Sequence, residues 1–165
     1  MIGNAAGGKS TLARHLARRR SVPLIEIDQL LWLPGWQLRP EADYARGHAE
    51  IIARERWVID GLGRQDSIAP RLARCTGIVL IDMPLWMHFW LAAERQIAWA
   101  QGQLERPPAG SAEMPPTREL FRTMSEVDQT WLPELRSMCA EAELEGKAVT
   151  RLRSVEEIDA CVRGI

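Results

Sequence analysis

Gly3-Asn4-Ala5-Ala6-Gly7-Gly8-Lys9-Ser10, followed at once by Thr11-Leu12-Ala13-Arg14-His15-Leu16, is the stretch from which the rest of the chain can be read. It fits G-x-x-x-x-G-K-[ST], the phosphate-cradling P-loop, and the residues behind it have the composition of a helix opening. A helix N-terminus leaves backbone N–H groups unpaired and carries partial positive charge, so a glycine-rich turn leading into one is a concave site for phosphate. Gly3, Asn4, Ala5, Ala6, Gly7, Gly8, Lys9, Ser10 and Thr11 are therefore expected to form a nucleotide site. Lys9 would reach the β- and γ-phosphates of ATP, and Ser10 would offer its hydroxyl to Mg2+. A chance match in a glycine-rich turn is the competing explanation; the helical pattern directly behind the loop argues against it.

A P-loop normally follows a buried strand, yet only Met1 and Ile2 precede Gly3, fewer than the about five residues of an ordinary strand. Either the chain starts upstream of Met1 or the central strand is a stub; the expectation is a shortened start, a truncated first strand in a sheet otherwise organised as though that strand were whole. The length of 165 residues, with 46% hydrophobic and 26% charged content and a net charge of −1, fits a single domain over 1–165. It offers no global basic excess of the kind a nucleic-acid binder carries. Arg18-Arg19-Arg20 reads as a solvated helix C-terminus. Cys75, Cys139 and Cys161 are widely spaced and odd in number, which implies neither a disulfide framework nor a zinc site and fits a reducing, cytoplasmic compartment. No signal peptide precedes the loop, and the apolar run from Leu85 to Ala93 is too short to span a bilayer.

Outward from the loop, Leu24-Ile25-Glu26-Ile27 is a strand candidate closed by Asp28. In open α/β folds the carboxyl ends of strands face the ligand crevice, so Asp28 either binds an acceptor there or caps the turn that follows. Leu31 to Trp36 is apolar and contains a turn; its two tryptophans could stack a planar base or substrate ring, but it is expected rather to cover the core. Pro40 opens a helix to about Arg54 with Ile51 and Ile52 inward. Trp57-Val58-Ile59-Asp60 is a buried strand, which puts Asp60 where it can hold magnesium beside Ser10, and Arg64 where it can take a phosphate. Ile68 to Cys75 forms a short helix. Gly77 to Asp82 reads as a doubly buried parallel strand; Asp82 at its end competes with Asp60 for the metal, but is expected rather to cap the helix that Pro84 opens.

That helix, Leu85 to about Gln101, carries Trp86, Trp90 and Ile97 near helical spacing, and this stripe is expected to be core. Arg95 lies toward its C-terminal half, where it can face the crevice. Residues 101–116 are broken by glycine and proline and form a lid candidate containing Arg106, with Arg118 and Arg122 one turn apart just after. Thr117 to about Glu143 is a long helical pattern that Pro133 kinks or divides. Ala148 to Leu152 is the last strand, and Ser154-Val155-Glu156-Glu157 has capping-box spacing ahead of a last helix. Alternating strands and helices imply an α/β chain, a three-layer α/β/α sandwich on a parallel sheet.

With these residues in hand, the chain resembles the P-loop kinases that include adenylate, shikimate and gluconate kinases. More closely it resembles the small adenylate kinase-like proteins labelled DNA topology modulation proteins. The resemblance runs through the loop, Pro23 to Asp28 with Pro34-Gly35-Trp36, then Trp57-Val58-Ile59-Asp60-Gly61, and the closing Arg151-Leu152-Arg153-Ser154. It implies a P-loop NTPase fold, with Lys9 and the loop amides on ATP and Ser10 on magnesium. Asp60-Gly61-Leu62-Gly63-Arg64 lines up with the Asp-Gly-Phe-Pro-Arg of nucleoside monophosphate kinases, whose aspartate supports the metal and whose arginine holds the acceptor. Asp28 resembles the acceptor-side aspartate of shikimate kinase-like members. Adenylate kinases usually have Gly at the position of Ser10, and the arginine-rich helix and lid of close relatives are thinned here, the helix from Trp86 to Gln101 keeping Arg95 but few other basic residues. The expected activity is ATP- and Mg-dependent phosphoryl transfer to a small-molecule or nucleotide acceptor, with Lys9, Asp60, Arg95 and Arg106 catalytic and Asp28 and Arg64 on the acceptor. The rival expectation is a nucleotide-binding regulatory or DNA-topology-associated protein with weak ATPase activity or none, although no element reads as nucleic-acid binding.

Overall fold

The computed structural model describes residues 1–104 and 114–164. Its centre is β6 (Gly77–Ile81), whose unbroken apolar run allows both faces to be covered. Parallel neighbours flank it, β1 (Ile2–Gly3) in the register Ile2↔Leu80 and Gly3↔Ile81, and β7 (Ala148–Leu152) from Gly77↔Ala148 to Ile81↔Leu152. A second parallel pair joins β2 (Leu24–Glu26) to β5 (Val58–Asp60), with Glu26 opposite Asp60. The two sheets meet at the chain start. The Met1 nitrogen donates to the Ile59 carbonyl at 2.5 Å, and Gly61 N–H donates to the Met1 carbonyl at 3.2 Å. β1 is as short as its sequence implied, and the end of β5 lies beside it.

Side chains of β6 alternate between two cores, as the strand period requires. Ile78 and Leu80 pack with Ile68 and Leu72 of α4 (Ile68–Arg74) and with Leu132, Leu135 and Cys139 of α7 (Leu132–Leu144). Val79 and Ile81 pack with Leu12 of α1 (Lys9–Arg20) and Ile158 of α8 (Val155–Gly164). Helices therefore cover both faces of this strand, and the α/β expectation holds. A third cluster, Ile27, Leu31, Tyr44 and Ile59, joins β5 to α2 (Ile27–Leu31) and α3 (Glu41–Ile52). Trp32 covers it from the hairpin β3 (Trp32–Leu33) and β4 (Gln37–Leu38), so the apolar stretch there does lie over core. The arginines 18–20 are exposed in the last turn of α1, as a helix C-terminus favours. Cys75, Cys139 and Cys161 are free thiols. Among the described residues no helix is long and apolar enough to cross a membrane.

Several expectations need correction. The helix α5 (Leu85–Ala100) is turned the other way round: Trp86, Trp90 and Ile97 are 65%, 64% and 58% exposed, while His88, Ala92 and Gln96 are buried. The inward face is polar because it meets polar backbone, with His88 Nδ1 2.8 Å from the Ala5 carbonyl and Gln96 donating to the Pro115 carbonyl at 3.4 Å. Asp82 caps nothing. Its Oδ1 accepts from Nε and Nη2 of Arg136 at 2.9 and 2.7 Å, so the strand end is tied to α7 instead. The long helix is irregular next to Pro133, where a π-helical turn, Val127–Trp131, joins α6 (Thr117–Glu126) to α7. Pro133 follows directly, in the first turn of α7. Residues 105–113 of the lid candidate, Arg106 among them, lie outside the described residues.

Candidate functional site

The loop after β1 is fastened from several sides. At Gly3, with φ 131°, an added Cβ would run into the Ile81 carbonyl oxygen, so close strand packing demands glycine. Buried Asn4 donates from Nδ2 to the Met124 carbonyl at 2.7 Å, and its Oδ1 accepts the Ala5 N–H at 2.8 Å. Gly8 enters α1 in the left-handed conformation at φ 74°. No side chain caps this helix, and no acid lies in its first turn. Its opening N–H groups are thus left for an acceptor from outside, and the dipole favours an anion. Lys9 stands buried at that point with its ammonium donating to the Asn4 carbonyl.

Beside it, Ser10 Oγ donates to Asp60 Oδ2 at 2.5 Å, which joins the first turn of α1 to the end of β5. Asp60 is buried, and its Oδ1 has no hydrogen-bond partner among the described residues. A serine hydroxyl and a carboxylate oxygen are hard donors of the kind magnesium takes, and magnesium needs only one or two protein carboxylates when phosphates and waters complete its shell. No cluster of three or more His, Cys, Asp or Glu side chains that could hold a metal stands among the described residues.

Asp28, in α2 just past β2, belongs to the same group of charges. Its Oδ1 lies 3.1 Å from where a Cβ on Gly61 would stand, a position that φ 104° and Ile27 Cγ2 at 2.8 Å reserve for glycine. Burial is the main influence on the Asp28 carboxyl and pushes it up to about 6, with Lys9 pulling it down and Asp60 adding to the rise. Burial likewise pushes the Lys9 ammonium below the ordinary lysine range; Asp60 and then Asp28 oppose this, and Arg95 adds to it. Arg95, on α5, is pushed down by burial and held up by Asp28. The structure therefore brings Lys9, Ser10, Asp60, Asp28 and Arg95 into one electrostatic neighbourhood. Asp28 forms no cap on α2, and among the described residues nothing hydrogen-bonds its carboxylate.

Arg64 stands apart from that group. Its guanidinium meets Glu41 at 3.0 Å and Asp66 at 3.6 Å, and its backbone N–H donates to the Tyr44 hydroxyl at 3.2 Å. Tyr44 in turn hydrogen-bonds Ser67 Oγ at 2.9 Å, and the hydroxyl occupies the space a Cβ on Gly63 would need. Arg118 and Arg122 are exposed on α6. Sequence reasoning missed buried Arg71 of α4, which donates to the Leu62 carbonyl at 2.9 Å and whose charge acts on Asp28 and Asp60. His88 was missed too. An arginine or a histidine on a helix carries no signal of its own, and only the fold sets these inward. No family model, curated protein or solved structure matches the chain.

Proposed function

We propose that the chain is an ATP- and magnesium-dependent phosphotransferase on a P-loop NTPase fold. The observation that carries the reading is the Ser10 to Asp60 hydrogen bond of 2.5 Å beside Lys9, at a helix N-terminus that no side chain caps. In this reading the two parallel sheets act as one, in the order β2-β5-β1-β6-β7, through the main-chain bonds at Met1. Such a sheet carries the loop and Asp60 to the same edge, where ligands of open α/β folds bind.

Ser10 and the orphaned Oδ1 of Asp60 would hold the magnesium, which when bound neutralises phosphate charge. Lys9 exchanges the Asn4 carbonyl for β- and γ-phosphate oxygens, and the α1 N–H groups cradle them. Arg95 opposes the negative charge that spreads over the transferring group. Phosphoryl transfer asks mainly for positioning and charge neutralisation, and these groups supply both.

On the acceptor side, Asp28 offers a carboxylate without a donor, whereas Arg64 is already met by Glu41 and Asp66. That balance favours an acceptor presenting a hydroxyl to Asp28 over one presenting a phosphate to Arg64. The free thiols suit a reducing compartment, the cytoplasm. The deciding experiment measures ADP formation from Mg·ATP with and without sugars, sugar acids, shikimate and nucleoside monophosphates, beside a Lys9→Ala control. Acceptor-stimulated ADP release that vanishes in the control supports the kinase. ATP binding that no acceptor converts to turnover supports the regulatory alternative.

A further inference from the structure

His88 is fully buried on the inward face of α5, in a helix whose Trp86 and Trp90 face outward. Its Nδ1 lies 2.8 Å from the Ala5 carbonyl, in the middle of the P-loop. A carbonyl only accepts, so Nδ1 carries the proton and Nε2 is left with a lone pair. That Nε2 is buried without a donor among the described residues. An orphaned ring nitrogen is a cost that a leucine of similar bulk would avoid, so packing alone does not account for histidine at this position. The ring also presses on the loop one step further along. A Cβ on Gly7 would lie 2.8 Å from His88 Cε1, 3.3 Å from Nδ1 and 2.9 Å from Ile81 Cγ2. The motif leaves position 7 unspecified; here His88 and Ile81 make it glycine.

A loop that binds phosphate works by turning N–H groups inward, and each carbonyl it contains must find a partner elsewhere. We propose that His88 is a positioning residue for the nucleotide site, acting through the Ala5 carbonyl and the Gly7 backbone to hold the loop in its anion-binding shape. The imidazole is kept neutral for this role. Burial pushes its basicity down and Lys9 adds to that, against the Ala5 bond and the carboxylates of Asp128 and Asp82, the second of which is paired with Arg136. The clamp on Ala5 from α5 has a counterpart in the bond from Asn4 to Met124 of α6. The two helices meet through Phe89 and Phe121, whose ring centroids are 4.8 Å apart. The loop is thus gripped from both members of one helix pair.

This inference rests on the nucleotide reading for its consequence but not for its geometry, and the experiment separates the two. Nitrogen-15 spectra of the full chain without nucleotide report the tautomer of His88, with His88→Asn identifying its signals. A neutral Nδ1–H ring supports the clamp, and an Nε2–H ring overturns it whether or not ATP binds. Mg·ATP affinity is then compared in wild type, His88→Asn and His88→Leu, each checked for thermal stability. Asparagine can place an N–H where Nδ1 stands and is expected to stay within about threefold of wild type, while leucine loses about tenfold with no loss of melting temperature. A leucine variant that keeps wild-type affinity overturns the proposal. If the wild type binds no Mg·ATP, the nucleotide reading fails, and the tautomer alone upholds or overturns the clamp.

Discussion

Ser10 and Asp60, fifty positions apart in the chain, share a hydrogen bond of 2.5 Å that closes the first turn of α1 onto the end of β5. Replacing Asp60 with Asn keeps an oxygen near the serine but removes the charge that a metal needs. The expected result is a loss of magnesium-dependent ADP formation of about a hundredfold or more, with nucleotide affinity in EDTA unchanged. A magnesium titration of turnover checks it, and wild-type rates in Asp60→Asn would remove this carboxylate from the site.

Asp28 carries a pH signature. Its carboxyl stands at about 6 in the folded chain against an ordinary 3.8, so between those values the folded state holds a proton that the unfolded state has released. Stability is then full below about pH 4 and falls as pH rises through about 6. Allowing for its partial exposure, the loss is about 2 kcal/mol. Asp28→Asn is therefore expected to be more stable than wild type at pH 7.5 and equal to it at pH 4, while acceptor-stimulated turnover disappears. Urea unfolding at both values tests this; a variant no more stable at pH 7.5 would contradict the assigned burial.

Gly61 holds φ at 104°, and a Cβ there would lie 2.8 Å from Ile27 Cγ2 and 3.1 Å from Asp28 Oδ1. Gly61→Ala adds backbone strain to a clash with buried groups, at about 2–4 kcal/mol. It also displaces the carboxylate that the acceptor is proposed to use. Denaturation midpoints should fall accordingly, and an unchanged midpoint would mean that Asp28 does not sit against this glycine.

Much of this arrangement can be read in the chain itself. The loop, β5 with Asp60, and the β6 run are local patterns, and each element formed within a residue or two of its expected place. Asp28 was legible as a residue past a strand and Arg95 as one toward the C-terminal half of the helix after β6. Arg64 was legible only as a position, because its pairing with Glu41 depends on where α3 packs. Arg71 and His88 escaped because a polar residue on a helix looks solvated until the fold shows what backbone it faces. The facing of α5 could not be read either. Residues 85–91 include apolar side chains on every side of the helix, so the period that normally points inward has no direction.

That reversed helix makes its own prediction. Were Trp86 and Trp90 core residues, truncating either would cost about 3–5 kcal/mol. Since both are about two-thirds exposed, Trp86→Ser and Trp90→Ser are each expected to change stability by no more than about 0.5 kcal/mol. Truncating buried Met124, whose carbonyl also holds Asn4, is expected to cost about 2–5 kcal/mol in the same assay. Chemical unfolding of the three variants side by side decides the matter, because a large loss at either tryptophan would place that face of α5 against protein and reverse its orientation. Small losses at both, with a large one at Met124, would fix the polar face carrying His88 and Gln96 as the one turned toward the loop after β1.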